Sequence, residues 1–244
     1  PIAGTAFLVA LWEWTRLLGI GSRAVRAALV GGAAVLFGLL WLGREGVFWW
    51  SAILAGLAWW PLAMWWLGHF SFAAAPTRDN VALKLAAGTL AVMPAWVALM
   101  EVHGDGRDGP AWVLFGLVLV WVADSAAYFT GSRWGRTRLA PRISPGKTWA
   151  GVYGALTGAA LTGGVGAWLL GVRGVLLAGF VLLALVTVAL SIVGDLFESL
   201  IKRHSSVKDS GTLFPGHGGM LDRLDSVFAA MPIWAAGRAL LLGS

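Results

Sequence analysis

A chain of 244 residues that is 58% hydrophobic and only 12% charged departs from the roughly 25% charged composition of an average soluble domain, which excludes an ordinary globular enzyme. Thirty charged side chains are too few to cover a soluble surface, whereas a lipid-facing surface needs none, so the expected fold class is all-α, a polytopic helical membrane protein. The absence of cysteine and the scatter of the four histidines exclude disulfide frameworks, thiol nucleophiles and zinc signatures, and a net charge of +6 must be located before it can be read as a preference for nucleic acid or for an anionic membrane surface or substrate.

A helix needs about 20 apolar residues to cross roughly 30 Å of hydrocarbon. Eight stretches of that kind run over 1–19, 24–43, 46–68, 81–100, 110–130, 148–170, 174–197 and 226–243. Trp12 and Trp14, and Trp59, Trp60, Trp65 and Trp66 around Pro61, suit interfacial belts, and a third helix kinked at Pro61 fits equally well. Glu13 is expected near the interface and is assigned no role. Alternating the spans puts 14 of the 18 Lys and Arg on one side, leaving Arg44, Arg107, Arg173, Arg238 and the acidic loop Glu101 to Asp108 on the other. The first side is therefore read as cytoplasmic, and the positive charge is assigned to a membrane surface or anionic substrate, with no nucleic acid. The first span then runs from outside to inside, which predicts one upstream helix; a removed signal peptide is the competing explanation.

The organisation expected is an amino-terminal transmembrane half, 1–105, and a carboxy-terminal catalytic half, 106–244, with cytoplasmic loops at 131–147 and 198–225. Gly154 and Gly158 allow a small-xxx-small helix contact, and helices sharing 34 glycines are compatible with a homodimer.

Chemistry concentrates in the two loops. The stretch Gly131 to Lys147 carries five positive residues and no acid. Positive-inside topology accounts for Arg133, Arg136 and Arg138 as readily as function does. The turn Ser144-Pro145-Gly146-Lys147-Thr148 says more, because hydroxyls, a Lys and free N–H groups at a helix start make a ready phosphate site. It is not a P-loop, since Pro141 replaces the first glycine of that motif.

The second loop holds Asp195, Glu198, Asp209, Asp222 and Asp225, five of the twelve acids, among four Lys or Arg and two His. Asp195 with Glu198, and Asp222 with Asp225, are i,i+3 pairs that share a face at a helix end. Oxygen donors without cysteine suit Mg²⁺, Mn²⁺ or Ca²⁺, and interleaved cations would neutralise phosphate while carboxylates hold a metal. Gly211, Pro215, Gly216, Gly218 and Gly219 beside His217 exceed what a plain linker needs; His217 reads equally as a structural hydrogen-bonder or a nucleotide contact. Asp124, about six residues from the end of the fifth span, costs about 2.5 to 3.5 kcal/mol at a helix centre on insertion scales, so it is functional or paired.

The segment Ser199 to Asp225 resembles the signature of the phosphatidate cytidylyltransferases, the CDP-diacylglycerol synthases. Thirteen fixed positions are met over 27 residues, by Ser199, Lys202, Arg203, Lys208, Asp209, Gly211, Pro215, His217, Gly218, Gly219, Asp222, Arg223 and Asp225. Asp124, Tyr128, Gly131, Gly135, Pro141 and the Ser144-to-Thr148 stretch are similar too, with Ala150 where many members have Glu or Gln. The resemblance implies transfer of the cytidylyl group of CTP to phosphatidate with release of pyrophosphate, dependent on Mg²⁺ and leaving room for a second cation. On that reading Asp195 and Asp222 are the core metal ligands, with Asp209 and Asp225 as further ligands or their partners. Ser144, Lys147, Thr148, Lys202, Lys208, Arg223 and His217 attend the CTP phosphates and pyrophosphate, and Arg203, Asp124 and Tyr128 face the lipid headgroup. The implied setting is the bacterial cytoplasmic membrane, with membrane lipids, CTP and phosphatidate as partners. Two rivals remain: a CTP-dependent polyprenol kinase using Asp124 or Asp209 as base, and an ion-coupled transporter built on Asp124.

Overall fold

The computed structural model describes residues 2–216 and 218–243, so His217 lies outside the described residues. Eight helices follow the eight apolar stretches: α1 (Ile2–Leu17), α2 (Arg23–Leu42), α3 (Val47–Gly68), α4 (Arg78–Gly104), α5 (Gly109–Trp134), α6 (Trp149–Leu169), α7 (Val175–His204) and α8 (Leu221–Leu242). Their starts are set by local chemistry. Ser22, Thr77 and Thr148 precede α2, α4 and α6 and accept hydrogen bonds from Val25 N, Asn80 N and Gly151 N, occupying donors that the first helical turn leaves free.

Six of these helices are long and apolar enough to cross a membrane, namely α2, α3, α4, α5, α7 and α8, and the chain is an integral membrane protein. α1, whose 16 described residues begin at the second position of the sequence, and α6 are the two expected spans outside that set. α6 carries six glycines in 21 residues, which lowers its hydropathy and lets neighbours approach. A Cβ on Gly154 would strike Thr130 of α5, one on Gly158 would lie 3.2 Å from Ala126 Cβ of α5, and one on Gly163 would meet Ala184 of α7.

Several boundaries differ from those read off hydropathy, those of α4 (Arg78–Gly104 against 81–100) among them, because helices that leave the lipid keep hydrogen-bonding while their side chains turn polar. α5 continues to Trp134, so Asp124 lies about 15 Å from its end rather than about 9 Å. α7 continues to His204 because Phe197, Leu200 and Ile201 stay buried. α8 begins at Leu221 and contains Asp222 and Asp225. The connection 198–225 thus shrinks to 205–220. Within 131–147 the chain forms an antiparallel hairpin of β1 (Arg138–Ala140) and β2 (Ser144–Thr148), pairing Arg138 with Thr148 and Ala140 with Ser144.

Most of the tryptophans expected in belts are core residues. Trp14, Trp59, Trp60 and Trp66 are buried and gather round Phe197 of α7, with ring centroids 5.5–6.4 Å away; Trp65 alone of the group around Pro61 is exposed. α3 passes through Pro61 as one helix. Contacts between connections bear out the alternation of sides. Ser205 Oγ donates to Leu17 O (2.7 Å), His204 Nε2 to Phe70 O (2.6 Å) and Arg203 Nε to Ile143 O (2.9 Å), while Arg142 lies over the Phe70 ring. Opposite them, Arg238 pairs with Asp105 and Trp49 Nε1 donates to Glu101. α8 packs against α1, α3 and α4 as well as α7, so the two halves of the chain share one core.

Candidate active site

A cavity of about 640 Å³ opens where the positive-side ends of α5, α6, α7 and α8 meet the hairpin. Its carboxylates are Asp124 of α5, Asp195 of α7, and Asp222 and Asp225 of α8, and its cations are Arg138, Lys147 and Arg223. Tyr128 and Thr148 complete the part of the wall formed by α5 and β2. Glycine brings the hairpin this close to α5. A Cβ on Gly135 would press 2.6 Å from Thr148 Oγ1, so only a residue without one lets β2 run alongside the helix end.

Within the cavity, Lys147 Nζ lies 2.5 Å from Asp195 Oδ2, and Ser199 Oγ donates weakly to Asp195 Oδ1 at 3.4 Å. Asp222 is more heavily engaged. Its Oδ1 takes Lys202 Nζ at 2.7 Å, and its Oδ2 accepts from Ser210 N (3.0 Å), Ser210 Oγ (2.9 Å) and Gly219 N (2.7 Å). Lys202 also reaches Glu198 Oε2 at 2.6 Å, so the two acids expected to pair along α7 diverge: Asp195 turns to Lys147 and Glu198 to Lys202. Asp225 accepts from Ser226 N (2.7 Å) and lies within electrostatic reach of Asp195, Glu198 and Lys147. Asp124 is within reach of Asp195, Lys147 and Arg223. Gly218, at φ +84°, sits against Asp222 so that a Cβ would meet its carboxylate.

The model of the cytidylyltransferase family matches residues 2–241. The chain belongs to that family. It is 35% identical to a phosphatidate cytidylyltransferase of Haemophilus influenzae over 95% of this chain and 86% of that protein. Against one from Pseudomonas aeruginosa it is 38% identical over 96% of this chain and 84% of the other. One from Thermotoga maritima is 45% identical over 52% of this chain and 49% of its own length.

Of the site residues expected from the sequence, the fold brings Asp124, Tyr128, Lys147, Thr148, Asp195, Asp222, Arg223 and Asp225 to the cavity. Others stand apart from its wall. Ser144 lies in the hairpin ladder opposite Ala140, Arg203 braces the hairpin through Ile143 O, and Lys202 is buried between Glu198 and Asp222. Lys208 and Asp209 are exposed on the 205–220 connection. The N–H groups expected to be free at the start of α6 are partly spent: Gly151 N donates to Thr148 Oγ1 and Trp149 N to Thr137 O.

The donor chemistry fits a hard divalent cation, since Asp124, Asp195 and Asp225 offer oxygen with no sulfur or imidazole among the cavity residues. No three acidic or histidine side chains among the described residues converge on a single point; Asp222 Oδ1 meets one protein donor and its Oδ2 three, which leaves Oδ1 a lone pair for a cation. Glu13 escaped the sequence reading. It is buried at the foot of the signature loop, accepting from Ser210 Oγ and Leu221 N. The signal was present, because the desolvation cost that singled out Asp124 applies equally to an acid between two tryptophans of an apolar helix.

Proposed function

We propose that this chain transfers the cytidylyl group of CTP to phosphatidate, giving CDP-diacylglycerol and pyrophosphate. The observation that carries the reading is a cavity at the positive-side end of a membrane bundle, holding carboxylates and cations together, in a chain aligned almost end to end with proteins of that name. A phosphatidate oxygen attacks the α-phosphorus of CTP, and the bond from that phosphorus to the bridging oxygen of the β-phosphate breaks. The nucleophile is already anionic, so no proton need be removed; positioning and charge neutralisation carry the reaction.

Lys147, Arg138 and Arg223 are placed to neutralise triphosphate and headgroup oxygens, and Thr148 fixes the start of α6 beside them. Asp195 and Asp222, with Asp225 and Asp124 beside them, are the carboxylates that would be drawn together by Mg²⁺, and a second cation belongs to the same reading. When bound, such an ion draws charge from the phosphate oxygens. Asp222 also orients Lys202 and the turn at Ser210 and Gly219. Phosphatidate stays in the bilayer and CTP in water, which supports a site at the cytoplasmic face of a bacterial inner membrane.

Purified protein given CTP, Mg²⁺ and either phosphatidate or a polyprenol distinguishes the readings. Pyrophosphate release with phosphatidate alone is expected; CDP and a phosphorylated polyprenol would overturn the proposal in favour of a kinase. A transporter would place its acids at mid-span, whereas three of the four here sit with the signature turn and hairpin.

A further inference from the structure

Glu13 lies one turn from the end of α1 and is only 6% exposed. A carboxylate taken this far out of water is costly unless donors replace its hydration. Two do, both from the far end of the chain. Ser210 Oγ donates to Glu13 Oε2 at 3.1 Å and Leu221 N, at the start of α8, at 2.8 Å. The connection wraps the acid closely, for a Cβ on Gly211 or on Gly219 would collide with one or other carboxylate oxygen. Asp222 closes the same loop from the cavity side, taking Ser210 N and Gly219 N, and the one proton of the Ser210 hydroxyl is shared between the two carboxylates.

The two carboxylates therefore clasp one peptide segment at both ends, Ser210 where it enters and Gly219 to Leu221 where it leaves. The turn between them carries left-handed glycines at 216 and 218 (φ +75° and +84°). α1 is itself fixed in rotation. Trp14 fits under Gly88 with its indole N–H on Lys84 O (2.9 Å), and Arg26 lies 4.0 Å over the Trp12 ring while donating to Trp12 O. Glu13 is thus aimed from a rigid element at a segment bracketed by two cations, Lys208 before it and Arg223 after it.

The geometry points to Glu13 as a positioning residue for the nucleotide end of the site: it fixes the segment from Ser210 to Leu221 so that Arg223, just beyond it on the cavity wall, presents its charge to the triphosphate. This rests on the cytidylyl-transfer reading for the identity of the nucleotide, but the clasp can be tested apart from turnover. Because the chain has no cysteine, Thr212→Cys on the exposed turn takes a nitroxide label at one site. In Glu13→Gln the label is expected to become mobile, and KM for CTP to rise about tenfold, the size of effect that one lost oriented contact produces, with kcat changing less. Ser210→Ala, which removes the shared hydroxyl and leaves Glu13 in place, is the second variant and is expected to move both readouts the same way.

A merely structural Glu13 would lower the amount of folded enzyme and its apparent kcat, while the surviving molecules kept the parental KM and an immobile label. That result, or an unchanged KM in both variants, overturns the proposal. Parent protein that turns over no CTP with phosphatidate would instead fail the functional reading, and the label would still report on the clasp.

Discussion

Asp195 and Asp222 line the same cavity, yet one carboxylate is held lightly and the other is built into the protein. Asp195 has a single close ion pair, with Lys147, and both side chains retain solvent contact. Asp222 counters Lys202 where only 9% and 11% of the two side chains remain exposed, and also holds three donors of the signature turn. Asp195→Asn is expected to cost turnover at least about a hundredfold, as loss of a charge-stabilising group does, with the melting temperature in detergent near the parent's. Asp222→Asn should lose turnover and also stability, on the order of 3 kcal/mol, because the buried Lys202 keeps only Glu198 as counter-charge. Thermal unfolding and pyrophosphate release on both variants check this; a parent-like melting temperature for Asp222→Asn would contradict the built-in role. The spacing of Asp195, Asp222 and Asp225 was legible in the sequence, as were their proximity to Lys147 and Arg223 in one polar site. Which acid takes which lysine was not, because i,i+3 spacing fixes a shared helix face but not the tertiary partner that each side chain meets. The partners of Glu13 were hidden for a related reason, lying 197 and 208 residues away.

At the scale of elements, apolar run length located all eight helices, since that signal reports lipid and core contact directly. It misplaced the ends of α5, α7 and the start of α8, where helix continues on packing and hydrogen bonds after apolarity has stopped. The hairpin was illegible: a three-residue strand opposite a five-residue one, rich in Arg, Pro and Gly, carries no alternation. α6 shows the converse, an element whose composition weakens its membrane signal while strengthening its packing. Its Gly154 faces Thr130 so closely that any Cβ collides. Gly154→Ala should therefore force α5 and α6 apart at a cost of about 1–3 kcal/mol, read as a lowered melting temperature. Shortening the obstacle with Thr130→Ala in the same chain should recover part of the loss. If the single variant melts like the parent, close approach at that point is not what holds the pair together.

For the molecule as a whole, the segregation of positive charge and the bonds among Leu17, Phe70, Ile143 and the end of α7 agree on one common side. A cysteine-free background makes the orientation directly measurable. With an impermeant thiol reagent applied to right-side-out bacterial spheroplasts, Arg107→Cys should label and Arg136→Cys should label only after the membrane is opened. The reverse pattern would put the cavity on the outer face and remove it from cytosolic CTP. The match of both halves to one core also explains why the amino-terminal stretch, featureless as a motif, cannot be treated as a mere anchor: α1 and α4 both pack on α8.

Glu13 and Leu221 are joined by a hydrogen bond across 208 residues of chain, and α1 is translated before α8. During synthesis the acid must wait in an inserted helix for partners that the ribosome has not yet made, so the clasp on the connection before α8 can close only once α8 has been made. On the positioning role proposed for Glu13, a product that stops short of α8 would sit in the bilayer with its earlier helices in place and no ordered turn to receive a nucleotide.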